Sequence, residues 1–155
     1  MGTLYLAGRR PGAGATAIAV ALATLWGREG KRVVVIKPAA LAANGDAAFF
    51  SRAFGFSGEA PSEAPLLIPA HADKDALATL IKQAADRVQA VADAADVVIV
   101  EGLPYADATD EPVAASPALA ERLGARVVGV APYDRSLNTT HARNWRNACR
   151  ARSYA

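Results

Sequence analysis

With 155 residues, 52% of them apolar, the chain is long enough for one domain with a real core and too short for two comfortable ones. A formal net charge of +2 is too small to argue for nucleic acid. One cysteine, Cys149, rules out an intrachain disulfide and fits a reducing, cytoplasmic compartment, and no apolar run approaches the length of a membrane span.

In chain order, "TLYLAG" reads as a short buried strand and Thr16 to Arg28 as a helix, with Ile18, Leu22, Leu25 and Trp26 at three- and four-residue spacing. "RRPGAGATAIAVALATL" has the outline of a twin-arginine export signal. The apolar stretch Leu4 to Ala7, however, stands where such a signal has a polar leader, and export is not expected. "RVVVIKP" is a β-branched run, as in a strand covered on both faces, and Pro38 ends it. "GDAAFFSRAFG" predicts a short helix, and a proline-rich loop follows with a short strand at Leu66 to Ile68.

A long helix is predicted from about Asp75 to Ala94, capped by Asp73 or Asp75, with Leu77, Leu80, Ile81, Val88 and Val91 on its apolar side. "DVVIVEG" is a third buried strand. "SPALAERLG" predicts a helix with Ser116 as cap, Pro117 at the first position and Gly124 as stop, and "ARVVGVAP" is a fourth strand. Apolar strands alternating with helices imply an α/β, three-layer, Rossmann-like domain with a mostly parallel sheet. Residues 1–135 form this domain, and 136–155 form a basic helix or tail carrying Arg143, Arg146, Arg150 and Arg152, with Trp145 as a core or interface anchor.

Two templates compete for the glycine turn. Residues 12–17, Gly-Ala-Gly-Ala-Thr-Ala, satisfy G-x-G-x-x-[GA], but Gly8 through Pro11 separate them from the strand, and Lys37-Pro38 stands where a dinucleotide site has its ribose-binding acid. A phosphate-binding loop fits the spacing better: the amides of Gly8, Gly12, Ala13, Gly14 and Ala15 and the helix end would cradle phosphate, and the Thr16 hydroxyl would reach magnesium. Ala15 occupies the position where such a loop carries lysine, so this is a degenerate Walker A sequence. Losing one charge-assisted contact costs about 1.5–3 kcal/mol, roughly ten- to a hundredfold in affinity. Arg9 or Arg10 would supply the missing cation; Arg10 precedes Thr16 at the offset of the extra lysine in the loops of dimerising ATPases, K-G-G-x-G-K-[ST].

The chain resembles the dethiobiotin synthetase family, and more closely the dethiobiotin-synthetase-like domain at the N-terminus of some phosphotransacetylases. The resemblance spans most of residues 3–135. The family loop G-T-D-T-x-V-G-K-T lines up with "GRRPGAGAT" at Gly8, Gly14 and Thr16; Lys37-Pro38 matches its second strand end, Gly45-Asp46 its next helix start, and "DVVIVEG" its D-x-V-x-V-E-G. The resemblance implies a P-loop NTPase-like domain using ATP and Mg2+, with Thr16, Asp46 and Glu101 around the metal. It also implies that Lys37 faces the substrate or outer phosphate, and that Lys37 and Glu101 act in catalysis. In the full enzymes these groups help ATP activate a carbamate on a diaminononanoate.

"EGLPY" replaces the family's "EGAGG", which puts its backbone donors in question, and the sequence ends before the strand and loop that read the base in these enzymes, so a true dethiobiotin synthetase is not expected. Three functions stay open: a domain that binds nucleotide weakly, with little turnover; an active ligase or synthetase of the dethiobiotin or cobyrinate type; and a regulatory or assembly domain without nucleotide. The expected partners are the nucleotide and a second copy or a larger enzyme, with neither a membrane nor nucleic acid.

Overall fold

A computed structural model of the chain describes residues 2–9, 12–42, 45–46, 49–50, 53, 64–69, 72–104 and 111–131. Six strands and three helices are assigned among them: β1 (Gly2–Gly8), α1 (Ala15–Arg28), β2 (Val33–Ile36), β3 (Ala39–Ala40), β4 (Leu66–Leu67), α2 (Lys74–Ala92), β5 (Val97–Glu101), α3 (Glu111–Arg122) and β6 (Arg126–Val130). The main sheet has the order β2-β5-β1-β6 and is parallel throughout, while β3 and β4 form a separate parallel pair. This is the predicted fold class, α/β with helices on both faces of a parallel sheet.

Strand alternation sorts the core into two layers. Tyr5, Ala7, Val34, Ile36, Val98 and Val100 face α2 and α3, where Ala84, Val88, Val91, Ala115 and Leu119 close over them. Leu6, Val35 and Ile99 face α1, packing on Ala19, Ala23 and Phe50. The alanines let α1 lie close to the sheet, which fixes where its first turn stands relative to the strand ends.

Strand pairing begins at an ion pair. The Arg32 guanidinium donates to Asp96 Oδ1 at 2.8 Å, the Arg32 amide donates to Asp96 Oδ2 at 2.9 Å, and the Asp96 amide donates to the Arg32 carbonyl at 2.9 Å. Immediately beyond, Val33 pairs with Val97 and Val35 with Ile99. Helix α2 is capped by Asp73, whose carboxylate accepts from the Ala76 amide at 2.8 Å. Its buried face includes Ala84 and Ala85 besides the predicted Val88 and Val91.

Three features depart from the sequence reading. Helix α3 begins at Glu111 rather than at a Ser116 cap, and Pro117 lies inside it. The Ser116 hydroxyl is turned into the protein, donating to the Leu103 carbonyl, so it is not spent on a helix end. Strand β3 was not anticipated: Ala39 and Ala40 follow Pro38 directly and pair with Leu66 and Leu67 of the predicted short strand. In the predicted helix 45–55, Asp46, Phe49, Phe50 and Ala53 have helical backbone and the Phe49 amide donates to the Gly45 carbonyl at 2.9 Å; the rest of that stretch lies outside the described residues. The predicted tail, 136–155, also lies outside them. Among the described residues no helix is long and apolar enough to cross a membrane.

Candidate functional site

The site is built on the carboxyl edge of the sheet, where ligands of open α/β folds bind. Strand β1 ends at Gly8, and the following turn passes through Gly12 (φ 77°) and Gly14 (φ 95°) before α1 starts at Ala15. These two left-handed positions are the reason for the glycines. Gly14 offers no side chain to cap the helix, and no acid stands in its first turn. The first-turn amides and the positive end of α1 are thus left to the cavity beside them, the arrangement that holds phosphates.

Register brings the charges. Val33 and Val35 of β2 face α1, as do Val97 and Ile99 of β5. Two residues further along each chain come Lys37 and Glu101, neighbours on the same side by continuation of the Val33–Val97 register. Lys37 Nζ donates to Glu101 Oε1 and to Asp46 Oδ2, both at 2.6 Å. The Lys37 and Glu101 side chains are only 10% and 7% exposed, against 34% for Asp46. Burial works against the Lys37 ammonium, but the hydrogen bonds and the attraction of the two carboxylates outweigh it and hold its pKa above the ordinary lysine value. Glu101 Oε2 is buried without a hydrogen-bond partner.

A cavity of about 360 Å3 joins these parts, a size suited to a small ligand. It is lined by Gly8, Gly12, Ala13, Gly14, Ala15, Thr16, Lys37, Asp46 and Glu101, together with Ala39 to Ala42 and Gly102 to Pro104. The sequence candidates are therefore placed at one cavity except the two arginines: Arg10 lies outside the described residues, and Arg9, whose amide donates to the Val130 carbonyl at 2.7 Å, is not among the lining residues. Among the described residues no three His, Cys, Asp or Glu side chains cluster as metal ligands. A metal would rest on Asp46, Glu101 and the Thr16 hydroxyl. Two carboxylates, one with an unpartnered buried oxygen, suit a hard cation such as Mg2+, which takes one or two carboxylates and completes its shell with phosphate and water.

Among the described residues of the "EGLPY" turn, Gly102 to Pro104 contribute wall and no free backbone donor. The Gly102 amide donates to the Leu6 carbonyl at 2.9 Å, the Leu103 amide donates to Tyr5 Oη at 3.1 Å, and Pro104 has no amide hydrogen. Ser116 Oγ donates to the Leu103 carbonyl at 2.8 Å and accepts from Tyr5 Oη at 3.1 Å. Burial pushes the Tyr5 pKa up, against its bonds to Ser116 and Leu103. Sequence reasoning missed Tyr5 and Ser116 as supports of this turn. A tyrosine within an otherwise aliphatic strand was the available signal, since a buried hydroxyl needs a partner.

The family model described as AAA domain matches residues 2–153, nearly the whole chain. The chain belongs to the AAA domain family. Among solved structures this AAA domain is similar to the kinase domain of the Escherichia coli tyrosine kinase ETK, with a TM-score of 0.61 at 16% identity over 99% of this chain and 64% of that one. It is also similar to the BceF tyrosine kinase domain, with a TM-score of 0.54 at 17% identity over 94% of this chain and 64% of that one. The chain thus spans about 64% of the length of each kinase domain. No curated protein matched it. Family and architecture together make it a P-loop NTPase-like domain and support a nucleotide-binding module.

Proposed function

We propose that this AAA domain is a dethiobiotin-synthetase-like module that binds ATP with Mg2+ weakly and turns it over little. The observation that carries the reading is the facing of an uncapped helix start, Gly14 to Thr16, and the Lys37–Asp46–Glu101 cluster across one cavity, with alanine at position 15. The amides of residues 12–16 would take the phosphates, and Arg10 would add a cation to that loop. Thr16, Asp46 and Glu101 would hold Mg2+, which supplies charge neutralisation at the outer phosphates. Lys37 would meet the outer phosphate or the substrate. Without the loop lysine, affinity falls by roughly ten- to a hundredfold and transition-state stabilisation falls further.

A calorimetric titration with ATP and Mg2+, paired with thermal denaturation, tests this reading. Weak binding with a raised melting temperature is expected. No shift at millimolar ATP would overturn it and leave a regulatory or assembly role without nucleotide.

A second reading, an active ATP-dependent ligase or synthetase of the dethiobiotin or cobyrinate type, is favoured by the Lys37 ammonium, a cation already present in the cavity. It requires phosphate release that Glu101→Gln abolishes. A homodimer or a larger enzyme is the assembly in which either role would operate, and the cytoplasm is its proposed location.

A further inference from the structure

Lys37 stands where two functions collide. Its ammonium bridges Asp46 Oδ2 and Glu101 Oε1 at 2.6 Å each, and those are the carboxylates assigned to a divalent ion. Mg2+ binds oxygen at about 2.0–2.1 Å and demands near-octahedral surroundings. An ammonium already between the two carboxylates leaves no room for that shell. The lysine is nine-tenths buried, so it cannot simply swing into bulk water without exposing its stem and stranding the buried Glu101 carboxylate. Glu101 Oε2, buried without a hydrogen-bond partner, is an acceptor that the ammonium does not satisfy.

We propose that Lys37 is a resident cation that closes the Asp46–Glu101 pair to divalent metal in the nucleotide-free domain, so that metal enters only with a phosphate that draws the ammonium away. The second clause rests on the nucleotide reading above. A phosphate held by residues 12–16 lies across the same cavity and gives the ammonium a new anion. The carboxylates then exchange one cation for another, and neither charge is stranded. Metal and nucleotide binding are consequently coupled with positive sign.

The experiment titrates Mn2+, read by the loss of its free-ion electron paramagnetic signal, into nucleotide-free wild type, Lys37→Met and Lys37→Arg. Wild type and the arginine variant, which keeps the charge, are expected to bind feebly. The methionine variant is expected to bind at least roughly tenfold tighter, within the usual range of site-to-site coupling. Wild type binding free Mn2+ as tightly as Lys37→Met overturns the proposal. Should Lys37→Met fail to fold in metal-free buffer, Lys37→Gln is read by its melting temperature: a rise with Mn2+ that the wild type lacks supports the lock, and no rise overturns it. A fluorescent ATP analogue titrated into wild type with Mn2+ separates the two readings. If the analogue fails to bind while Lys37→Met gains Mn2+, the nucleotide reading and the release by phosphate fall, and the exclusion of metal by Lys37 stands.

Discussion

The ring of Tyr5 lies against the Cα of Gly102, so that a Cβ at position 102 would fall on ring atoms Cε1 and Cζ. Tyr5 is fully buried, and Gly102 follows the cavity carboxylate Glu101. The glycine is therefore required by close approach, and the turn that follows the carboxylate is seated on the core of the sheet. Gly102→Ala forces either the ring or the turn to move, and overpacking of this kind costs about 1–3 kcal/mol. A lower urea midpoint with an unchanged slope is the expected outcome; an unaltered midpoint would mean that Tyr5 does not support the turn.

Ser116 is the second support. Its hydroxyl both donates to the Leu103 carbonyl and accepts from Tyr5, and alanine there takes the donor from the buried carbonyl and the acceptor from the buried tyrosine hydroxyl, which keeps only the Leu103 amide. Ser116→Ala should cost about 1–3 kcal/mol, against a few tenths for loss of an exposed hydroxyl. Tyr5→Phe disrupts the same network, so the double variant should lose less than the sum of the two single losses. Additive losses in chemical denaturation would show the two hydroxyls to be independent.

The positions of Lys37 and Glu101 were legible because a parallel sheet leaves little freedom. Two β-branched runs, "VVVI" and "VVIV", each end in a charged residue at the same register, and period-two alternation places both charges on one side. Ser116-Pro117 was misleading for a local reason: the pair has the chemistry of a helix start, and only the tertiary position of Tyr5 diverts the hydroxyl inward. Strand β3 escaped because two alanines carry no strand signal of their own; their pairing with Leu66 and Leu67 comes from a segment distant in sequence. Ala84 and Ala85 of α2 were missed likewise, since alanine is apolar enough to be buried and too small to mark a face.

The Arg32–Asp96 pair sets a pH dependence. Hydrogen bonds from the Arg32 side chain and amide bring the Asp96 pKa down from 3.8 to about 2. A carboxyl with a depressed folded-state pKa contributes stability that is full above its unfolded value and is lost as pH falls through the folded one. Stability should decline between about pH 4 and pH 2 in part through this group. Asp96→Asn should flatten that portion of the acid limb in urea titrations. Because both side chains are well exposed, the contribution should be small, and the substitution should cost at pH 7 about what it removes from the acid limb. An acid limb identical to that of the wild type would sink the assignment.

Restoring the loop lysine tests the cavity from its other side. Ala15 opens α1, is half-buried against the Leu6 and Ala19 layer, and lines the cavity that holds Lys37, Asp46 and Glu101. The Lys37 ammonium is already engaged by both carboxylates, so a phosphate at the helix start gains from a further cation. Ala15→Lys supplies one at the helix start, where the amides of the first turn already favour an anion. A charge-assisted hydrogen bond to phosphate is worth about 1.5–3 kcal/mol, so ATP should bind roughly ten- to a hundredfold tighter in calorimetry. The gain should shrink with added salt, since part of it is exposed electrostatics. If the affinity stays at the wild-type level while the variant keeps its fold, the phosphates do not lie over residue 15, and the loop is a turn that serves the fold alone.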